Sequence, residues 1–110
     1  MGYITEFEIK FHEPHAEESK WLTTLSEFLE EKSGYYFSRE SGYTLYVEGK
    51  WYDWDKHMLL ASKLFPEQVL VITGVGEDRD DLWRTYFKDG KSQDCKARIE
   101  YDEYDEGKLK

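Results

Sequence analysis

The sequence predicts an α+β fold, a ferredoxin-like sandwich extended by a C-terminal hairpin, of order β-α-β-β-α-β-β-β with an antiparallel or mixed sheet and two helices on one face. Three observations predict it. Apolar and polar residues alternate with period two in several short runs, as half-buried strands require. Two longer stretches repeat their apolar residues every three or four positions, as amphipathic helices do. Both helices have to bury a stripe, and a single sheet is available to cover them, so they share one hydrophobic layer.

The elements follow in order. Tyr3, Thr5, Phe7, Ile9 and Phe11 alternate with Ile4, Glu6, Glu8, Lys10 and His12, which makes a first strand. Trp21, Leu22, Leu25, Phe28 and Leu29 then recur at helical spacing. Pro14 suits a first helical position and Ser33-Gly34 a left-handed stop, giving a helix over roughly 15–33. Tyr35-Tyr36-Phe37 and the run 43–47 flank the polar turn 38–42 as a hairpin. Asp53 caps a second helix of about three turns, striped by Trp54, Met58, Ala61, Leu64 and Phe65 and ended by Pro66. The continuous run Val69-Leu70-Val71-Ile72 reads as a central strand covered on both sides. Residues 82–87 and 95–101 alternate again on either side of Lys88-Asp89-Gly90-Lys91, where Asp-Gly signals a tight turn.

This alternation assigns faces. Phe7, Ile9, Phe11, Leu45, Val47, Trp83, Thr85, Phe87, Cys95, Ala97 and Ile99 are expected to face the helices. Glu6, Glu8, Lys10, Thr44, Tyr46, Glu48, Arg84, Tyr86, Lys96, Arg98 and Glu100 are expected on the open face.

Length and charge bound the function. One domain is expected over 1–110, fraying over about 102–110. There are 24 acidic against 15 basic residues, a net charge of -9, and 17% of the chain is aromatic. Such a surface repels nucleic acid and anionic membranes and favours a partner with a basic nucleic-acid-binding surface. The lone Cys95 precludes an intrachain disulfide and fits a reducing compartment. Neither a secretory signal nor an apolar stretch of roughly 20 residues is present, so a cytoplasmic protein is expected.

The motifs offer no reaction. Gly74-Val75-Gly76-Glu77 follows a strand, yet Glu77 and Asp78 would repel a phosphate, and a turn is the better account. His12, His15 and His57 complete no recognised ligand spacing, and Cys95 has no histidine near it in sequence, so no metal, cofactor or nucleophile is expected. Trp51-Tyr52-Asp53-Trp54 places one tryptophan against the sheet and offers another as an interface anchor. The run Glu100-Tyr101-Asp102-Glu103-Tyr104-Asp105-Glu106 alternates acids with tyrosines. With Glu77, Asp78, Asp80 and Asp81 it presents carboxylates as phosphate surrogates.

Gly49-Lys50-Trp51-Tyr52, His57-Met58, Ser62 through Phe65-Pro66, Gly74 to Glu77, Asp81-Leu82-Trp83 and Tyr86 through Lys91 together resemble a pattern in small proteins carried by bacteriophages and related mobile elements. The Lys-Trp segment before a helix is similar to plasmid-borne proteins with a YubB-type ferredoxin-like domain. The resemblance covers about the C-terminal two-thirds, and implies a phage or mobile-element setting. With the charge, it leads to an expectation: a non-enzymatic acidic binding protein that inhibits a host defence nuclease, as anti-CRISPR proteins do, by nucleic-acid mimicry. The expected contacts are Trp51, Glu77, Asp78, Asp80, Asp81, Asp102, Glu103, Tyr104, Asp105 and Glu106. The alternative is a small-ligand-binding or homodimerising module that buries Tyr46, Arg84, Tyr86 and Arg98 of the open face.

Overall fold

Phe7, Ile9 and Phe11 are buried while Glu6, Glu8 and Lys10 are exposed, so β1 (Thr5–Phe11) is a strand with one dry and one wet face. The computed structural model describes residues 4–40, 43–78, 81–98 and 100–110. Of the residues discussed above, Tyr3, the turn residues Ser41 and Gly42, Asp80 and Ile99 lie outside them. After β1 come α1 (Glu18–Ser33), β2 (Ser38–Glu40), β3 (Thr44–Gly49), α2 (Trp54–Ser62), β4 (Leu70–Val75), β5 (Leu82–Lys88), β6 (Lys91–Lys96) and a 3-10 turn at Glu106–Lys108. The sheet has six strands in the order β2-β3-β1-β4-β5-β6, every neighbouring pair antiparallel. This order is not that of a four-strand ferredoxin-like sheet, because the β5–β6 hairpin extends it beyond β4.

Both helices bury their stripes against the same sheet face. Leu22, Leu25 and Leu29 of α1 and Met58 and Ala61 of α2 meet Phe7, Ile9, Phe11, Leu45, Val47, Leu70, Ile72 and Phe87 in one cluster. Gly34 ends α1 at φ 79°, its N–H donating to the Glu30 carbonyl at 2.9 Å, the left-handed stop that the sequence implied. The helix starts three residues later than expected. His15 forms a turn there, accepting the Glu17 N–H at Nδ1 (3.0 Å) and stacking on Trp21 at 4.2 Å. α2 stops at Ser62, short of Pro66. Its ladder tightens to three-residue hydrogen bonds at Lys63, Leu64 and Phe65, which leaves Leu64 exposed. Asp53 makes no side-chain cap. Ser62 donates to the Leu59 carbonyl at 2.7 Å and accepts the Gly90 N–H at 2.8 Å, pinning the end of α2 to the β5–β6 turn.

Four expectations are corrected. The first hairpin strand is Ser38–Glu40 rather than 35–37, so residues expected in the turn pair with β3 instead. β4 is central but covered by helices on one side only: Leu70 and Ile72 join the core cluster. Val71 is buried on the opposite face, in register with Lys10 and Tyr86, whose long side chains screen it. Gly74 is no turn residue either. It lies inside β4 opposite Phe7 and Trp83, and a Cβ there would stand 2.1 Å from Trp83 Cζ2, so the bare backbone seats the indole.

The last strand is 91–96 rather than 95–101. Asp89 (φ 46°) and Gly90 (φ 78°) form the tight turn, and β6 begins at once. Arg84 pairs with Cys95, and Trp83 with Lys96. Antiparallel partners share a face, so Cys95 lies on the open face and Lys96 on the helix side, the reverse of the expectation. Ala97, Arg98 and Glu100 lie beyond the strand and are exposed. As an edge strand beyond reach of the helices, β6 is wet on both faces and carries no apolar pattern to reveal its register.

Candidate binding site on the open sheet face

The strand register arranges the open face in rows. Glu48, Glu6, Val75 and Leu82 form the first, and Tyr46, Glu8, Thr73, Arg84 and Cys95 the second. Lys10, Val71, Tyr86 and Gln93 form the third. Charge divides this face. On its β3–β1 side the first two rows carry Glu48, Glu6 and Glu8, while Lys10 stands in the third row of β1 and β5 carries Arg84, whose Nε donates to Thr73 Oγ1 at 3.1 Å.

Glu6 and Glu48 stand directly opposite each other, and a like-charge cross-strand pair is unfavourable by roughly 0.2–1 kcal/mol. Tyr46 lies beside both. Its hydroxyl reaches Glu6 Oε1 at 3.0 Å and Glu48 Oε2 at 3.3 Å. Burial, then the hydrogen bonds and negative charges of Glu6 and Glu48, push its phenol up to about 12 from an ordinary 10. A raised folded-state value favours the neutral phenol, so this contribution to stability is full below pH 10 and is lost as pH rises through 12. Tyr46 should therefore ionise late when absorbance near 295 nm is followed, and Tyr46→Phe should delete that phase. Its survival in the variant would refute the assignment.

The expected contact residues fall in separate places. Trp51 is only 4% exposed and is no surface anchor. It packs edge-on against Phe7 and Phe37 at 5.3 and 5.2 Å, and its Nε1–H donates to His57 Nδ1 at 2.8 Å. The exposed aromatic next to it is Tyr52. Glu77 accepts the Ile4 N–H at 2.8 Å, and backbone bonds from Gly76 to Asp81 and from Asp81 to Asp78 close the β4–β5 turn. Residues 100–110 are exposed throughout, so Asp102, Glu103, Tyr104, Asp105 and Glu106 are accessible, and Asp105 accepts the Gly107 N–H at 2.9 Å. Exposed carboxylates also line α1 at Glu27 and Glu31, so the anionic groups are not gathered into one patch. Tyr46, Arg84 and Tyr86 lie together on the open face, whereas Arg98 lies past the end of β6. Among the described residues no group of three His, Cys, Asp or Glu side chains is placed to hold a metal, and no helix is long and apolar enough to cross a membrane.

Sequence reasoning missed a cleft on the helix side, a cavity of about 450 Å³ beside the start of α2. Trp54 stacks on Trp83 at 4.4 Å in its wall, and Asp94 accepts the Thr85 hydroxyl at 2.9 Å. Trp83 was assigned to the helix face by alternation, but its pairing with Trp54 joins residues distant in sequence. Asp94 was invisible because β6 was placed too late. No family model, curated protein or solved structure matches the chain.

Proposed function

We propose that the chain is a non-enzymatic binding protein that engages a partner with a basic nucleic-acid-binding surface, in the manner of an inhibitor of a host defence nuclease. The observation that carries this reading is the cluster Glu6, Glu8 and Glu48 on paired strands. Opposing Glu6 and Glu48 is unfavourable by itself and is offset only through the Tyr46 hydroxyl that both accept, and a rigid sheet holds the anions in fixed spacing, as a surface that competes for a phosphate-binding groove requires. Net charge -9 adds long-range attraction to a basic partner. A ferredoxin-like build for β1 through β4 is part of the proposal, supported by the order β2-β3-β1-β4 and by helices after β1 and β3. The resemblance to phage-borne proteins supports the anti-defence setting.

The test uses bacterial DNA-binding proteins eluted from a DNA column and passed over the immobilised chain at about 50 and 200 mM salt. Retention at the lower salt and release at the higher are expected. A Glu6→Gln/Glu8→Gln/Glu48→Gln variant should fold with unchanged or slightly raised stability and retain nothing. Equal retention by that variant ends the proposal.

The cleft beside α2 favours a second reading, a small-ligand module, because stacked indoles and a carboxylate line a cavity of about 450 Å³. Ligand-dependent quenching of tryptophan emission, abolished by Asp94→Ala, is its expected signature. Quenching unchanged in that variant would remove this cleft as the site.

A further inference from the structure

A second cavity, of about 480 Å³, opens at the opposite corner of the sheet, where His12, Tyr86, Lys88, Lys91 and Gln93 line it. Lys88 and Lys91 are direct cross-strand partners, and among the described residues neither forms an ion pair. His12 packs edge-on against Tyr86 at 5.3 Å. A chain of net charge -9 thus places two lysines and a histidine around one aromatic-walled hollow, and chemistry of that kind takes an anion that carries a ring.

The chain itself contains such a group. In the segment 100–106 the carboxylates of Asp102, Glu103, Asp105 and Glu106 alternate with Tyr101 and Tyr104, which are 91% and 77% exposed. The segment follows the end of β6 away from Lys91 and is exposed throughout. The radius of gyration is 16.4 Å, against about 13 Å for a compact chain of this length. It does not fill the cavity of its own copy. β6 is also the sheet's outer strand, so its free rim offers backbone groups to an added extended segment.

We infer that two copies pair reciprocally, each seating its acidic, tyrosine-bearing segment 100–106 in the His12–Lys88–Lys91 corner of the other. The arrangement is isologous and closes at a dimer, because each exchange uses up one cavity and one segment per copy. Carboxylates meet the two lysines, and a tyrosine ring meets the His12–Tyr86 wall.

Sedimentation of the full chain from about 10 to 500 µM at low salt should show a monomer–dimer equilibrium that shifts toward monomer as salt rises. A Lys88→Glu/Lys91→Glu variant and an Asp102→Lys/Glu103→Lys/Asp105→Lys variant should each dimerise about tenfold more weakly, because cavity and segment then carry the same sign. An equimolar mixture of the two variants should recover the dimer, since both exchanges are again between opposite charges. Circular dichroism checks that both variants keep the fold. A wild-type chain that stays monomeric over this range overturns the inference, as does a mixture no more dimeric than its components. Binding of inorganic phosphate at Lys88 and Lys91 by a chain that never dimerises would make the corner a small-anion site and overturn it equally.

Discussion

Trp51→Ala should cost about 3–5 kcal/mol of stability, a large part of the 5–15 kcal/mol available to a domain of this size. The indole lies at the junction of β1, the α1–β2 connection and the entry to α2, edge-on to Phe7 at 5.3 Å and to Phe37 at 5.2 Å. Truncation opens a void where three elements converge. It also leaves the half-buried His57 Nδ1 without the donor that now reaches it at 2.8 Å. Urea unfolding followed by circular dichroism measures the loss, with a fall in Tm of about 15–25 °C as its thermal counterpart. An exposed interface anchor would instead lose under about 0.5 kcal/mol on truncation, so a value that small refutes the core assignment. Trp51→Phe should fall between the two, keeping a ring against Phe7 while losing the hydrogen bond.

Gly74→Ala is the second large effect, and a single methyl group produces it. The new Cβ would stand 2.1 Å from Cζ2 and 2.2 Å from Cε2 of Trp83. The ring has little room to retreat, with Trp54 stacked on it at 4.4 Å and Phe7 edge-on at 6.0 Å. Expelling the indole or bending β4 should cost about 1–3 kcal/mol, the range for overpacking a filled core. The stacked Trp54–Trp83 pair should also lose its coupled near-ultraviolet dichroism. In the background Trp83→Ala, where the obstructing ring is absent, Gly74→Ala should be nearly neutral, and that non-additivity is the decisive readout. Full additivity would mean that the glycine serves backbone conformation rather than ring packing.

These two residues show where sequence reasoning reached and where it stopped. A glycine before another glycine and an acid reads as a turn, because nothing local reports an aromatic ring arriving from the neighbouring strand. A tryptophan beside a tyrosine and an aspartate at a helix entry reads as equally fit for the core or for an interface. The choice rests on whether Phe37, fourteen residues before Trp51 in the α1–β2 connection, closes over it. The same limit displaced β6. Residues 91–96 are polar at nearly every position, and the alternation that located the other long strands exists only where one face is dry.

The candidate site was legible in part. Glu6, Glu8, Tyr46, Glu48, Arg84 and Tyr86 were assigned to the open face by alternation alone, and the structure places them there. What alternation could not supply is which of them are neighbours. The opposition of Glu6 to Glu48, the seating of Tyr46 between them and the gathering of His12 with Lys88 and Lys91 depend on strand order and register. Both are set by long-range pairing.

By itself the sequence determined the element order, the two amphipathic stripes, the left-handed stop at Gly34, the Asp-Gly turn and the acidity of the surface. Each of these follows from periodicity, from the conformational freedom of single residues or from a sum of charges, and all are local or additive properties. Tertiary structure alone decided that β6 begins at Lys91, that Trp51 is interior, that Gly74 seats a ring and that like charges meet across β1 and β3. Those facts arise where segments far apart in the chain touch, and close packing leaves room for only one arrangement of them.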